Sequence, residues 1–183
     1  MSMKYETSIE SLTEGQAKIS ATIARLSSLL GTWKGEGRGC FPTIPSFHYT
    51  EECIFTSNGC EPIIHFEQKT LVKSTDQTNG SPLHWESGFF RAIEDGSVEI
   101  SNAQNGGRVE VLKGVIDEAA YSEGVLLLKL ESVLFGNDPR LIRTMRRYEL
   151  RKNRLNYLIE MATVRTPERQ RHLEATLEKV LGR

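Results

Sequence analysis

The chain has 183 residues, 26% charged and 38% hydrophobic, with a net charge of -1, a composition suited to one globular domain with its own core. So little net charge excludes a nucleic-acid binder that works through a general basic field. No apolar run approaches the about 20 residues that a membrane-spanning helix requires. Met1 to Ser11 is polar and mixed in charge, which is not the apolar core of a signal peptide. Cys40, Cys53 and Cys60 are odd in number and lack Cys-x-x-Cys spacing, so neither a disulfide framework nor a zinc knuckle is indicated. A reducing, cytoplasmic setting is the expectation.

In chain order, residues 1–12 are expected to be a disordered tail ahead of one domain spanning 13–183. Thr13 followed by Gln16 fits a capping box. Ile19, Ile23, Leu26 and Leu30 then recur at helical spacing, and Gly31 stands where a helix would stop. A helix with one apolar stripe is expected to lie across an apolar surface such as the end of a barrel.

Gly31 to Ile44 reads Gly-Thr-Trp-Lys-Gly-Glu-Gly-Arg-Gly-Cys-Phe-Pro-Thr-Ile. In a strand, alternate residues share a face, so Gly35, Gly37 and Gly39 leave one face bare for another backbone or a flat ligand. The spacing alone favours a Gly-rich edge strand bent at a barrel corner. Trp33 lies on the same alternation and could plug a barrel end. Pro42 and Pro45 end regular pairing.

Further strands are expected at Phe47–Thr56, Ile63–Val72, Leu83–Ile93, Val98–Gln104, Val109–Val115, Val125–Ser132, Leu141–Leu150 and Leu155–Val164, after Thr32–Gly39. Short turn signals separate several of them: Ser57-Asn58-Gly59, Glu94-Asp95-Gly96, Asn105-Gly106-Gly107 and Arg151-Lys152-Asn153. About nine or ten strands joined by tight turns, with no helix between them, argue an all-β fold, an antiparallel up-and-down barrel wide enough for a small ligand. Thr166-Pro167-Glu168 then resembles a helix start, and Leu173, Leu177, Val180 and Leu181 fit the stripe of a short C-terminal helix. His172 falls off that stripe and reads as solvent-exposed.

The chain has four histidines, His48, His65, His84 and His172, and none forms a His-x-x-x-His pair, so no zinc site of neighbouring residues is expected. His48 and His65 read as ordinary sheet residues and His84 as a hydrogen-bonded rim residue. Gly-x-Gly-x-Gly at 35–39 has no preceding strand or following helix and is not a dinucleotide fingerprint. No Gly-x-Ser-x-Gly elbow occurs. Arg143, Arg146 and Arg147 read as a solvated outer face.

Several motifs nevertheless occur together. Gly31-x-Trp33-x-Gly35-x-Gly37 is followed by Pro42-Thr43-Ile44. Further on come His84-x-Glu86-Ser87-Gly88-Phe89-Phe90-Arg91, and Ala103-Gln104 leading to Val109-Glu110-Val111 and Lys113-Gly114. The series ends with Met161-Ala162-Thr163, a proline, and His172-Leu173. In this order and over about Leu29 to Leu181, the chain resembles the nitrobindin family. The resemblance implies a ten-stranded barrel with ferric haem b, one per chain, at an open end. It implies His172 as the proximal iron ligand, against the reading from helical spacing, and His84 on the distal side with Leu83 where some members have methionine. Leu83 and Trp85 would make that side bulky. Thr43 matches a position near the haem edge, and Arg140 one where members place a cation able to pair with a propionate.

The resemblance also implies isomerisation of peroxynitrite to nitrate and reversible nitric oxide binding. The iron would serve as Lewis acid, and the protein would confine the fragments until they recombine. Haem, peroxynitrite and nitric oxide are the implied partners, with a homodimer allowed and neither nucleic acid nor membrane. The alternative is a non-catalytic carrier of a lipophilic ligand, which has no use for His172.

Overall fold

The computed structural model describes residues 12–180; of the expected tail only Leu12 falls within them, and Leu181 of the C-terminal stripe lies outside. Ten strands run β1 (Gly31–Phe41), β2 (Ile44–Thr56), β3 (Ile63–Lys73), β4 (Pro82–Ala92), β5 (Val98–Gln104), β6 (Val109–Ile116), β7 (Leu126–Gly136), β8 (Leu141–Arg151), β9 (Arg154–Thr163) and β10 (Thr166–Lys179). Each pairs antiparallel with its neighbours in sequence, and β1 pairs with β10, closing the barrel.

The expected C-terminal helix is therefore a strand. Leu173 and Leu177 are four apart, as a helix requires, but Leu173, Ala175 and Leu177 also alternate, and Ala175 and Leu177 are buried. Two registers decide between these readings: Trp33↔Lys179 to Gly39↔Leu173 with β1, and Gln170↔Met161 to Glu178↔Arg154 with β9. A helix here would leave two rows of unpaired backbone groups on β1 and β9, which closure satisfies. The same closure means that β1 is not an edge strand.

The bare face of β1 is filled from within the chain. A Cβ at Gly35 would lie 2.1 Å from the Thr176 carbonyl oxygen of β10, while the rings of Tyr49 and Phe47 cover Gly37 and Gly39. These rings stand directly opposite the two glycines on β2. No flat ligand is needed to explain the glycines.

One end of the barrel is sealed by α1 (Glu14–Leu26), which opens on the expected Thr13–Gln16 capping box. It stops earlier than its stripe suggests, passing into a 3₁₀ turn at Ser27–Leu29. That tighter turn brings Leu29 down beside Leu26, and both are wholly buried against the barrel core. Trp33 plugs the same end, with its indole Nε1 donating to the Leu29 carbonyl at 2.6 Å. Above it Phe55, Phe66 and Phe90 pack ring on ring at centroid distances of 5.3 to 6.2 Å. A further short helix, α2 (Glu118–Ser122), interrupts the β6–β7 connection, where none was expected; Asp117 caps it by accepting from the Ala120 amide. The opposite end of the barrel, carrying the β1–β2, β3–β4, β5–β6, β7–β8 and β9–β10 turns, has no helix over it among the described residues.

The β1–β10 seam makes a stability prediction. Gly35→Ala should cost about 2–3 kcal/mol, because its Cβ meets backbone that cannot move without parting the strands. Gly106→Ala, whose Cβ would meet nothing within 4 Å, should be near neutral. Urea unfolding of the two variants measures the difference.

Candidate functional site

The inward positions of the strands near the open end enclose a cavity of about 190 Å³. Phe47, Leu83, Ile159, Met161 and Leu173 supply its apolar wall, and His84, Arg108 and His172 its basic groups; Gln68, Thr70 and Tyr49 also reach it. A larger concavity of about 470 Å³ lies on the outer face of β1, β2 and β8–β10, between Glu36, Arg38, His48, Arg147, Glu149 and Arg171. Its charges are already paired with one another or with neighbouring strands, as in Arg38 with Glu174 and Arg147 with Glu149. It is a solvated sheet face rather than a built site.

His172 enters the cavity through a break in alternation. Continuing the inward series Leu177, Ala175, Leu173 would place Arg171 inside and His172 outside. The β9–β10 register shifts between Arg171 and Leu173, so that two residues of β10 face one of β9. A bulge of this kind re-aims a side chain, and here His172 and Leu173 both line the cavity. The ring is half-buried, packs edge-on to Phe41, and holds Nδ1 3.3 Å from the Cys40 carbonyl oxygen. A carbonyl can only accept, so Nδ1 carries the proton and Nε2 keeps its lone pair. Burial lowers the His172 pKa against the raising effect of the Cys40 carbonyl, with the Arg108 and His84 charges adding to the fall. The ring is a neutral, oriented donor.

His84 and Leu83 line the same cavity from the start of β4. Trp85, expected to crowd them, points outward instead: alternation sends its neighbours His84 and Glu86 inward, and its indole donates to Glu67 outside. Thr43 and Arg140 are in turns at this end, but neither lines the cavity. Thr43 is exposed, and Arg140 is spread over solvent with Nε 2.9 Å from Asp138. Two guanidinium groups do reach the cavity: that of Arg146, described below, and that of Arg108, only 19% exposed, with Nε donating to Gln104 at 3.0 Å. Stepping back by twos from the buried Leu112 through Glu110 gives Arg108 as an inward residue, a signal available from the sequence.

Arg146 overturns the solvated-face reading of the arginine cluster. Arg143 and Arg147 are exposed, but Arg146 is 2% exposed, inside the barrel on the inward series Thr144, Arg146, Tyr148. Its guanidinium grips Glu86 of β4 at 2.5 and 3.1 Å and Glu110 of β6 at 3.1 Å. Glu110 also accepts from Thr144 and Gln104, and Glu86 faces His84 Nε2 at 3.4 Å. Burial alone would raise the Glu86 pKa, but the Arg146 charge and the bonds from His84 and Arg146 carry it down to about 2. This ion network is the floor of the cavity.

A second buried group lies beside it. Glu51 accepts from Gln68 Nε2 at 2.9 Å and lies 2.5 Å from the Tyr157 hydroxyl, which in turn lies 2.8 Å from the Tyr49 hydroxyl. Burial pushes the Glu51 pKa up to about 8, restrained by the bonds from Tyr157 and Gln68.

The donor set fits a haem. A porphyrin supplies four equatorial nitrogens and asks the protein for one axial imidazole with its second nitrogen pinned, which His172 and the Cys40 carbonyl offer. Among the described residues no cluster of three or more His, Cys, Asp or Glu side chains is arranged to hold a bare metal ion.

Comparison with known proteins agrees with this geometry. Residues 22–179 match the family described as THAP4-like, heme-binding beta-barrel domain. A protein of Arabidopsis thaliana named peroxynitrite isomerase Rv2717c is 43% identical over 158 residues, 86% of this chain and 89% of its own. Peroxynitrite isomerase 2 of Mycobacterium ulcerans is 33% identical, over 84% of this chain and 92% of its own. The crystal structure of Rv2717c from M. tuberculosis superposes with a TM-score of 0.77 at 30% identity, covering 87% of this chain and 98% of that one.

The buried ion network carries a prediction. Arg146→Met should destabilise the fold by about 3–5 kcal/mol, because buried Glu86 loses its guanidinium and buried Glu110 keeps only the long contact to Arg108 at 3.8 Å. The Glu86 pKa is depressed on folding, so its contribution is present above the ordinary carboxylate value of 4.5 and lost as pH falls toward about 2. Urea unfolding from pH 6 to pH 3 should show wild-type stability falling over that interval and Glu86→Gln falling less.

Proposed function

The chain belongs to the family of THAP4-like haem-binding β-barrel domains, and from that premise we propose that it holds one ferric haem b in the barrel mouth, isomerises peroxynitrite to nitrate there and binds nitric oxide reversibly. The observation that carries this reading is His172: a half-buried neutral imidazole with Nδ1 tied to the Cys40 carbonyl and Nε2 free. The homologues named peroxynitrite isomerase support the choice of reaction.

The bound haem would supply a Lewis-acidic iron with a position open to a small ligand. His172 would hold the iron, and the rigid β10 bulge would fix the orientation of its imidazole. Phe47, Leu83, Ile159, Met161 and Leu173 would pack against the porphyrin and keep water from the reacting fragments. His84 would be the polar side chain on the ligand side, held by Glu86. Arg108 is placed to meet a carboxylate of the porphyrin, with Thr43 and Arg140 on the rim as outer contacts. Isomerisation conserves every atom of the substrate, so the chain's part is confinement and orientation.

The alternative, a carrier of an apolar molecule, fares less well against this interior. Arg146, Glu86 and Glu110 cross the barrel where such a carrier would need a dry apolar chamber.

Haemin titration followed by visible absorption tests the reading. Wild type should give a saturable Soret band at one haemin per chain, and His172→Ala should lose or displace it together with the acceleration of peroxynitrite decay. A band and decay rate indifferent to the substitution would overturn the assignment.

A further inference from the structure

Glu51 has no part in holding a haem, yet it is a carboxyl group buried inside the barrel with no cation paired to it among the described residues. Its neighbours form a chain of oxygens. The Tyr157 hydroxyl is 2.5 Å from Glu51, the Tyr49 hydroxyl 2.8 Å from Tyr157, and the Glu174 carbonyl oxygen 3.3 Å from Tyr49. Gln68 donates to both Glu51 and Tyr157, at 2.9 and 3.0 Å. Tyr49 and Gln68 line the mouth cavity, whereas Glu51 and Tyr157 line a void of about 10 Å³ beneath it.

Each hydroxyl has one hydrogen, which fixes the direction of the chain. The Glu174 carbonyl can only accept, so Tyr49 donates to it and must accept from Tyr157. Tyr157 has then spent its hydrogen, and the short contact with Glu51 needs the hydrogen on the carboxyl. The arrangement in which every contact is satisfied is a protonated Glu51 donating to Tyr157, Tyr157 to Tyr49, and Tyr49 to the carbonyl. The upward shift of the Glu51 pKa by burial agrees with it. Turning each hydroxyl the other way gives the ionised state: Tyr49 donates to Tyr157 and Tyr157 to Glu51, with only the long 3.3 Å bond lost.

We propose that Glu51, Tyr157 and Tyr49 form a proton relay, in which Glu51 stores one proton and Tyr49 hands it to an oxyanion or other basic anion bound in the mouth cavity. The delivery step rests on the haem reading above. In it the Glu51 O–H bond breaks as a new O–H forms on Tyr157, the original Tyr157 proton passes to Tyr49, and the original Tyr49 proton passes to the ligand. Glu51 is left as carboxylate and the ligand is protonated; no electron leaves or enters. The return path reprotonates Glu51 when the ligand departs. The charged and titratable groups facing the relay are Glu86 from β4, Arg146 and Tyr148 from β8, and Cys53 from β2, with Glu174 of β10 near Tyr49. Among them Arg146 is already committed to Glu86 and Glu110, which leaves the store without a counter-charge.

Two arms test this. In haem-free protein, infrared spectra should show a protonated-carboxyl band that titrates near pH 8, vanishes in Glu51→Gln, and moves to higher frequency in Tyr157→Phe, where the carboxyl loses its acceptor. Absence of the band in wild type, or its survival in Glu51→Gln, would overturn the store. In haem-loaded protein the probe is fluoride, whose affinity should fall tenfold per pH unit above about 8, the slope of one linked proton. Glu51→Gln should lack that step, and Tyr157→Phe should keep it while slowing association by about a hundredfold. A step that persists in Glu51→Gln, or an association rate untouched by Tyr157→Phe, would overturn delivery. A protein that takes up no haemin in the first place would sink the haem reading and delivery with it, leaving the infrared arm to decide the store.

Discussion

The barrel is organised across its middle by one guanidinium. Arg146 reaches from β8 to Glu86 on β4 and Glu110 on β6, strands that the sheet itself does not place beside β8. Three strands are thereby tied through the interior as well as around the wall. The cost of burying these charges is offset only because the geometry is bidentate toward Glu86 and because Thr144, Gln104 and His84 hold the remaining carboxylate oxygens. Arg146 Nε is left without a partner among the described residues.

That bridge divides the interior. Toward the α1 end the barrel is filled solid by Trp33, Phe55, Phe66, Phe90 and the leucines around them, and Leu26 and Leu29 close it from outside the wall. Toward the other end the polar side chains stand on the bridge and leave the cavity above it. An apolar ligand cannot pass into the sealed half without meeting the ion network, so any cofactor must sit in the mouth. Stability and function thus occupy opposite ends of one closed sheet, and the mouth can be shaped by the β10 bulge without disturbing the core.

Much of the fold was legible in the sequence because β-strands announce themselves by alternation and turns by glycine and asparagine. Nine strands, the helix cap at Thr13 and the Trp33 plug followed from such local signals. The tenth strand did not, because Leu173 and Leu177 satisfy helical and extended spacing alike and Thr166-Pro167-Glu168 favours a helix start; only the unpaired edges of β1 and β9 decide the matter, and they are far away in sequence. Charged residues at inward positions misled in the same way. Arg146 and Arg108 lie on alternating series with buried neighbours, but a charge is ordinarily a surface residue, and the carboxylates that let Arg146 stay inside come from strands 36 to 60 residues away. The resemblance to a known family singled out His172, which period alone placed in solvent, because a bulge is a register event between two strands and leaves no mark in the spacing of either.

The same contrast explains why Glu51 escaped notice. On β2 it alternates with Tyr49, Cys53 and Phe55, so its inward direction could be read, but what it does there depends on Tyr157 and Gln68 of other strands. Arg146 and Glu51 are the two solutions that this barrel uses for buried ionisable groups. One charge is neutralised by partners and stays ionised, fixing the structure. The other has no cation, so the low-dielectric interior keeps its proton on, and its hydrogen-bond chain has two orientations that differ by one proton and by the long Tyr49–Glu174 bond. The paired group confers rigidity, whereas the unpaired one, lying just beneath the mouth, is the part of the interior free to change state when a ligand's charge arrives above it.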